Sequence, residues 1–411
     1  PVFLTMSLLP ECHRWSEQAL LAVNYIKKGG IEEMQLQASL GLSLMYTRGH
    51  SEASQEALNR SVDIAKACGD HLNEVRLLGP LFIYYYRSGE FKVCLEQAKR
   101  SSEIAIKLGD SSATALAHTL LGLSLSAMGE LKNSRKALDA AVAAGTAPLA
   151  GQRIHFGFDQ SSMIRVARIA TLAMQGHVSQ ARANIKEAFT AVQGTDHPVA
   201  LAVVLNSAGA LLLIGDLDAA EEHLDNFFAR AQSISVEPFL HVGRAFKSEL
   251  AICRGEIKAG VETLHAELKW LDAAGFRLFS VRLQTVLARG LAASERWAEA
   301  LSLVDETTRL IEEKGYTCYL PELLRAKGSI LLRMPAPRIE DAEKCLMASL
   351  KLSRVQGALS WELRTATDLA AHWAEQGRPY EARALLRPVF EQFAHGLNTP
   401  DLNAASELLT R

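Results

Sequence analysis

One short phrase recurs about every forty residues along this chain, and that recurrence constrains the fold more than any other feature. Around Gly215 it reads "LIGDLDAAEEHL". Upstream stand "QGHVSQARANI" at Gly176, "MGELKNSRKAL" at Gly129 and "SGEFKVCLEQA" at Gly89. Downstream stand "RGEIKAGVETL" at Gly255 and "QGRPYEARALL" at Gly377. Two degenerate copies, "SERWAEALSLV" and "PRIEDAEKCLM", put Glu295 and Pro337 in the glycine slot. The intervals along the series are 40, 47, 39, 40, 40, 42 and 40 residues. A period of that length marks stacked supersecondary units rather than independent globular domains.

Fixed slots follow each turn. Two residues on, an apolar or ring residue recurs (Phe91, Leu131, Val178, Leu217, Ile257, Trp297, Ile339, Pro379). Five residues on, the residue is always small: Cys94, Ser134, Ala181, Ala220, Gly260, Ala300, Ala342, Ala382. Four further along, mostly a larger aliphatic returns, as at Leu138, Ile185 and Leu224. Residues four apart share a helix face, so the small slot predicts a close helix crossing. Small residues also recur seven positions before the turn (Gly122, Ala208, Ser248, Ala288, Ala370). A small residue on each side of a tight turn predicts an antiparallel helix pair. A second glycine series, Gly69, Gly109, Gly275, Gly315, Gly357 and Gly396, falls about midway and closes helix-like runs.

The fold expected is all-α: a right-handed superhelical solenoid of about ten antiparallel helix pairs, one repeat domain over 1–411, each unit touching only its neighbours. No strand is expected. The 47-residue interval places an irregular unit at 144–160, dividing 1–143 from 161–411. The chain starts without Met and already in apolar helix pattern, which suggests a fragment of a longer protein.

Composition excludes several function classes. With 44 basic and 46 acidic residues the net charge is −2, so no basic stripe for a nucleic-acid backbone is present. The most apolar run, Val199–Ile214, is short for a bilayer span and is broken by Asn206 and Ser207; a buried helix, not a membrane segment, is expected. The six cysteines are scattered without a Cys-x-x-Cys pair, which fits reduced, mostly structural thiols in cytoplasm. Gly255-Glu-Ile-Lys-Ala-Gly260 has P-loop glycine spacing, but Val261 and Glu262 stand where Lys and Ser/Thr are needed. No paired metal-ligand spacing is found.

Candidate binding residues come from two places. The inserted segment around Ala144–Gln160 breaks helix and collects Arg153, His155, Phe158, Asp159 and Gln160, which suit a ligand or peptide contact. Packing of Phe156 and Phe158, with Asp159 as a helix N-cap, is the alternative. The second source is the inner groove, expected along the first helices of each pair, including parts of Phe82–Tyr86, Met163–Arg168 and Arg282–Arg289. There Tyr84 and Tyr86 offer rings, and Arg165, Arg168, Arg282 and Arg289 offer charge to carboxylates or phosphates; solvated helix faces are the plainer reading of each arginine.

The paired helices resemble the tetratricopeptide repeat, in a longer version. The tail is more specific: Ser360-Trp-Glu-Leu-Arg364, Gln376-Gly-Arg378, Glu381-Ala-Arg-Ala-Leu-Leu386, Val389, Phe393 and Thr399-Pro-Asp-Leu402 resemble the closing repeats of a bacterial family of predicted ATPase regulators. "FDQ" at 158–160 and "LMYTRG" at 44–49 fit that family's repeat region; Pro379 and His395-Gly-Leu-Asn398 depart from it. The resemblance implies a longer protein with a winged-helix or nucleotidyl cyclase domain, then a STAND-type NTPase domain using ATP and Mg, then this region. Neither those domains nor their cofactors belong to this chain. The function implied is a non-catalytic sensing module of a transcriptional regulator, taking a protein or small-molecule inducer in the concave groove, with self-association a further expected partner mode. The alternatives are a stand-alone assembly scaffold and a hydrolase using His155 and Asp159.

Overall fold

The turn of the degenerate sixth copy shows how strictly the repeat governs the backbone. In the computed structural model Glu295 has φ +60°, the sole positive φ outside glycine among the described residues, in the slot where Gly129 stands at +76°. Both leave a helix by a left-handed residue, a conformation that costs a Cβ-bearing residue about 1–2 kcal/mol. The repeat thus imposes its turn at Glu295, whereas the Pro337 copy has no left-handed residue and its first helix already ends at Arg333. The structure describes residues 8–26, 28–145, 154–155, 158–193, 198–231, 237–393 and 398–410, with backbone alone at 23–26, 145, 154–155, 158–160 and 198.

Twenty α-helices are seen among the described residues. The first seven are α1 Leu9–Ile26, α2 Ile31–Thr47, α3 Glu52–Ala67, α4 His71–Ser88, α5 Phe91–Leu108, α6 Ser111–Ala127 and α7 Leu131–Gly145. Then come α8 Gln160–Met174, α9 Val178–Ala191, α10 Pro198–Ile214, α11 Leu217–Ala231, α12 Glu237–Cys253 and α13 Ile257–Ala273. The last are α14 Ser280–Ala293, α15 Trp297–Lys314, α16 Leu320–Arg333, α17 Ile339–Gln356, α18 Leu359–Glu375, α19 Pro379–Phe390 and α20 Pro400–Thr410. A 3-10 turn, Thr317–Tyr319, leads into α16. From α2 to α19, consecutive helices pack as pairs, each joined by the turn that the repeat marks.

Sealed small side chains explain the pairing. Cys94, Ser134, Ala181, Ala220, Ala300 and Ala342 are wholly buried, and so are Leu138, Leu224, Leu264 and Leu346 one turn later. A Cβ added at Gly122 would lie 2.6 Å from Leu138, and one at Gly328 would lie 2.6 Å from Leu346. Where the small slot is polar it bonds across the pair: Ser134 Oγ donates to Gly122 O at 2.8 Å, and Ser54 Oγ donates to Gly41 O at 2.8 Å. Ser54 belongs to a copy at Gly49, with Leu58 buried four residues on, which adds a pair to the sequence series. The long apolar run is α10, and no helix among the described residues is long and apolar enough to cross a membrane.

Two expectations need correcting. The inserted segment holds a minimal ladder: β1 Ile154–His155 pairs antiparallel with β2 Phe158–Asp159, Ile154 opposite Asp159 and His155 opposite Phe158. Backbone groups of these two short runs pair with each other instead of within a helix. More consequentially, units do not touch their neighbours alone. Arg277 N donates to Arg87 O at 2.7 Å, Thr317 Oγ1 to Met128 O at 2.5 Å, Ser360 Oγ to Ala173 O at 2.7 Å and Arg364 Nη2 to Leu213 O at 2.6 Å. The middle two of these bonds join residues 189 and 187 apart. Each acceptor lies at the C-terminal end of a first helix (α4, α6, α8, α10), where the last carbonyls lack intrahelical donors. Late units therefore cap early ones along a seam. Lys314 adds an ion pair to Glu90 at 2.7 Å, and His50 N donates to Ala274 O at 3.1 Å.

Candidate functional site

Behind that seam lies a cavity. The C-terminal ends of α4 and α6 and one face along much of α8 and α10 form one side; Phe239 of α12 and the segments entering α14 and α16 form the other. The cavity's volume is about 110 Å³, of the order of the roughly 150 Å³ apolar cavity that takes up a single benzene ring. The walls are mostly apolar, and six rings dominate them: Tyr86, Phe239, Phe276, Phe279, Tyr316 and Tyr319. Four of those come from one local pattern, used twice. Gly275-Phe276-Arg277-Leu278-Phe279 and Gly315-Tyr316-Thr317-Cys318-Tyr319 each put a ring directly after a left-handed glycine and a second ring three residues later. In each copy, Arg277 or Thr317 between the rings makes a seam bond, so the same turn closes the seam and lines the cavity.

Few polar groups enter this space, and their states follow from burial. Arg282 is buried; it donates to Glu249 Oε1 at 2.8 Å and lies 5.0 Å from the Phe246 ring centroid. Burial pulls its guanidinium down, but Glu249 outweighs that and holds it above the ordinary value. Gly209 makes room for it: a Cβ there would lie 3.1 Å from Arg282 Nη1 and 3.0 Å from the Phe246 ring. Arg87 is buried too. Its guanidinium lies 4.7 Å from the Tyr46 centroid and 4.9 Å from that of Phe239, with one long bond of 3.5 Å to the Tyr46 hydroxyl. Burial raises the Tyr86 and Tyr316 hydroxyls above the ordinary range and pushes Tyr319 up to about 12. Burial likewise pushes the Cys318 thiol up to about 12, so at neutral pH it is a protonated thiol and a poor nucleophile. The arrangement can hold a small molecule by stacking and apolar contact, with hydroxyl and guanidinium donors facing an acceptor.

Of the residues singled out from sequence, Tyr86 and Arg282 meet in this cavity. Tyr84 is buried nearby and packs on His50, its hydroxyl donating to Ser51 O at 3.3 Å. Met163, Val166 and Ala167 of α8 line the wall; Arg165 on that helix is half-buried, and Arg168 turns to Asp139 at 3.5 Å. Arg289 is exposed, 4.0 Å from Glu322. Arg153 lies outside the described residues, and His155, Phe158, Asp159 and Gln160 are described by backbone only. Sequence reasoning passed over Arg87, Phe239 and the two glycine-ring-x-x-ring segments. The signal for the latter was present: the same spacing of glycine and rings occurs twice, forty residues apart.

Compared with known proteins, the sequence matches no family model and no curated protein.

Proposed function

We propose that this chain is a non-catalytic sensing and interaction module: a right-handed superhelix of helix pairs whose ring-lined cavity takes a small-molecule inducer. The observation that carries the reading is that early and late units share one cavity, closed by the bonds that join them. A ligand there touches α4–α10 on one side and the entries to α14 and α16 on the other. Its binding free energy therefore depends on how the two sets of units sit, which is the differential affinity that a switch requires. The tail resemblance supplies the context. In a regulator of that family the repeat region lies beyond an NTPase domain that binds ATP and Mg, and the ligand's preference would bias that domain. A protein partner in the concave groove is the other mode of this reading, with no direct part for nucleic acid or membrane and the cytoplasm as its compartment.

The test is thermal unfolding of the purified chain against a panel of small metabolites, beside Ala170→Phe, which fills the cavity wall. At a hundredfold excess over Kd a ligand stabilises by about 2.7 kcal/mol. For a chain of this length that raises Tm by about 3 °C. Hits should vanish in Ala170→Phe while its own unfolding stays cooperative. Hits that persist undiminished in the filled variant would place the ligand elsewhere and remove the cavity from the account.

A further inference from the structure

We infer that the cavity selects a small monocarboxylate with a ring-sized apolar body, anchored head-first on Arg87; this rests on the sensing reading and narrows it. The argument starts from charge. Two guanidinium groups line the cavity. Arg282 is neutralised by Glu249 at 2.8 Å. Arg87, 8% exposed, has no carboxylate partner among the described residues. Its contacts are two ring faces and one long hydrogen bond, leaving N–H groups of the fork free. His50 supplies no compensation: a histidine carries no negative charge, and neither of its ring nitrogens accepts a hydrogen bond among the described residues. An arginine cannot shed its proton to escape burial. Retaining it unpaired against an apolar wall is costly unless an anion completes it.

The geometry then limits the anion. One uncompensated positive charge matches one negative charge; a dianion would leave a buried excess charge of its own. A planar carboxylate meets the guanidinium fork in two parallel bonds. The Tyr86 and Tyr319 hydroxyls, which bond to nothing among the described residues, line the same space as further donors. The rest of the lining is largely apolar, with Phe276, Phe279 and Leu213 among it, which suits a flat apolar body about the size of one ring. A sugar would leave most of its hydroxyls facing those rings without partners.

Titration calorimetry on the full chain with 3-phenylpropionate and its neutral isostere 3-phenylpropanamide tests this. The acid should bind at least tenfold more tightly than the amide. Arg87→Met should bring the two affinities within twofold of each other and leave the amide where it was. Arg87→Lys, which keeps the charge and loses the fork, should weaken the acid threefold or more without moving the amide; it decides the matter if the methionine variant does not fold. Equal affinities in the unaltered chain, or an acid preference that survives Arg87→Met, overturn the anchor while leaving a sensing cavity. Failure of both probes to bind, while a panel compound still shifts Tm and is lost in Ala170→Phe, overturns the ligand class alone. Absence of any panel hit removes both readings.

Discussion

His50 gives folding a pH dependence that sets in just below neutral pH. Both ring nitrogens are sealed from water and have no partner among the described residues. The ring sits 5.1 Å from the Tyr84 centroid and 5.5 Å from that of Phe276, at the seam. Burial, and then the Arg87 charge, lower its pKa from 6.5 to about 3. The folded state thus holds the neutral ring, whereas the unfolded chain takes up a proton below its ordinary pKa. The stability this contributes is full above pH 6.5 and drains away as pH falls toward 3. At pH 5 the loss is about 2 kcal/mol, at about 1.4 kcal/mol per pH unit. Urea unfolding at pH 7 and pH 5 should show that His50→Phe has a drop in stability about 2 kcal/mol smaller than the unaltered chain; equal drops would mean that this ring does not titrate with folding. At this scale the sequence was least informative. Arg87 reads as an ordinary basic residue in the last turn of a helix, where such residues favour the helix dipole. Nothing in its neighbours marks it as buried without a counter-charge.

At the scale of the helix pair, the repeat was legible almost completely. The small slot that recurs in eight copies is the crossing point, and the aliphatic that follows is the side chain lodged against the partner helix. Ala220 is 0% exposed there, so Ala220→Leu must push α10 and α11 apart. Overpacking of a close-packed site costs about 1–3 kcal/mol. Ala229→Leu, exposed on the same helix, should stay within about 0.5 kcal/mol of the unaltered chain. Denaturant midpoints of the two variants decide it, and equal effects would mean that the slot is not a contact. The copy at Gly49 escaped the alignment for a local reason. Elsewhere the second helix starts two residues after the turn residue with an apolar side chain. Here it starts at Glu52, and Ser51 takes the vacated position as N-cap, its side chain accepting from Ser54 N. The apolar marker is absent although the small slot and the aliphatic stand in register. The site was partly legible by the same logic: Tyr86 and Arg282 lie on first helices, as the groove-lining expectation required. The glycine-ring-x-x-ring segments belong to the other turn series, which closes pairs rather than opening them, and their partners lie far away in sequence.

For the whole molecule, periodicity describes neighbours and says nothing about how the units close on each other, because the residues that join early units to late ones resemble ordinary surface polar residues. Thr317, Ser360 and Arg364 gain meaning only from the carbonyls they reach. Arg364 is the most committed of them. It lies 5.1 Å from the Trp361 centroid, pairs with Asp401 at 2.7 Å, stands 3.7 Å from Glu322 and spans 151 residues to Leu213 O at 2.6 Å. In a chain whose units communicated only with neighbours, Arg364→Ala would loosen α18 and the helices beside it, and α10 would not notice. With a closed seam, the end of α10 loses its donor, and the turn at Gly215, which also packs against Pro400, loses cover. Hydrogen exchange of the Arg364→Ala chain should therefore accelerate at two places far apart in sequence, around 360–368 and around 211–217, while α3, on which none of Arg364's partners lies, keeps its rate. Acceleration confined to the C-terminal helices would mean that the seam contributes little to stability, and the cavity behind it would then lie open to solvent. Acceleration at both would show that late units hold early ones, so that a ligand bridging the two sides acts on the molecule as one cooperative body.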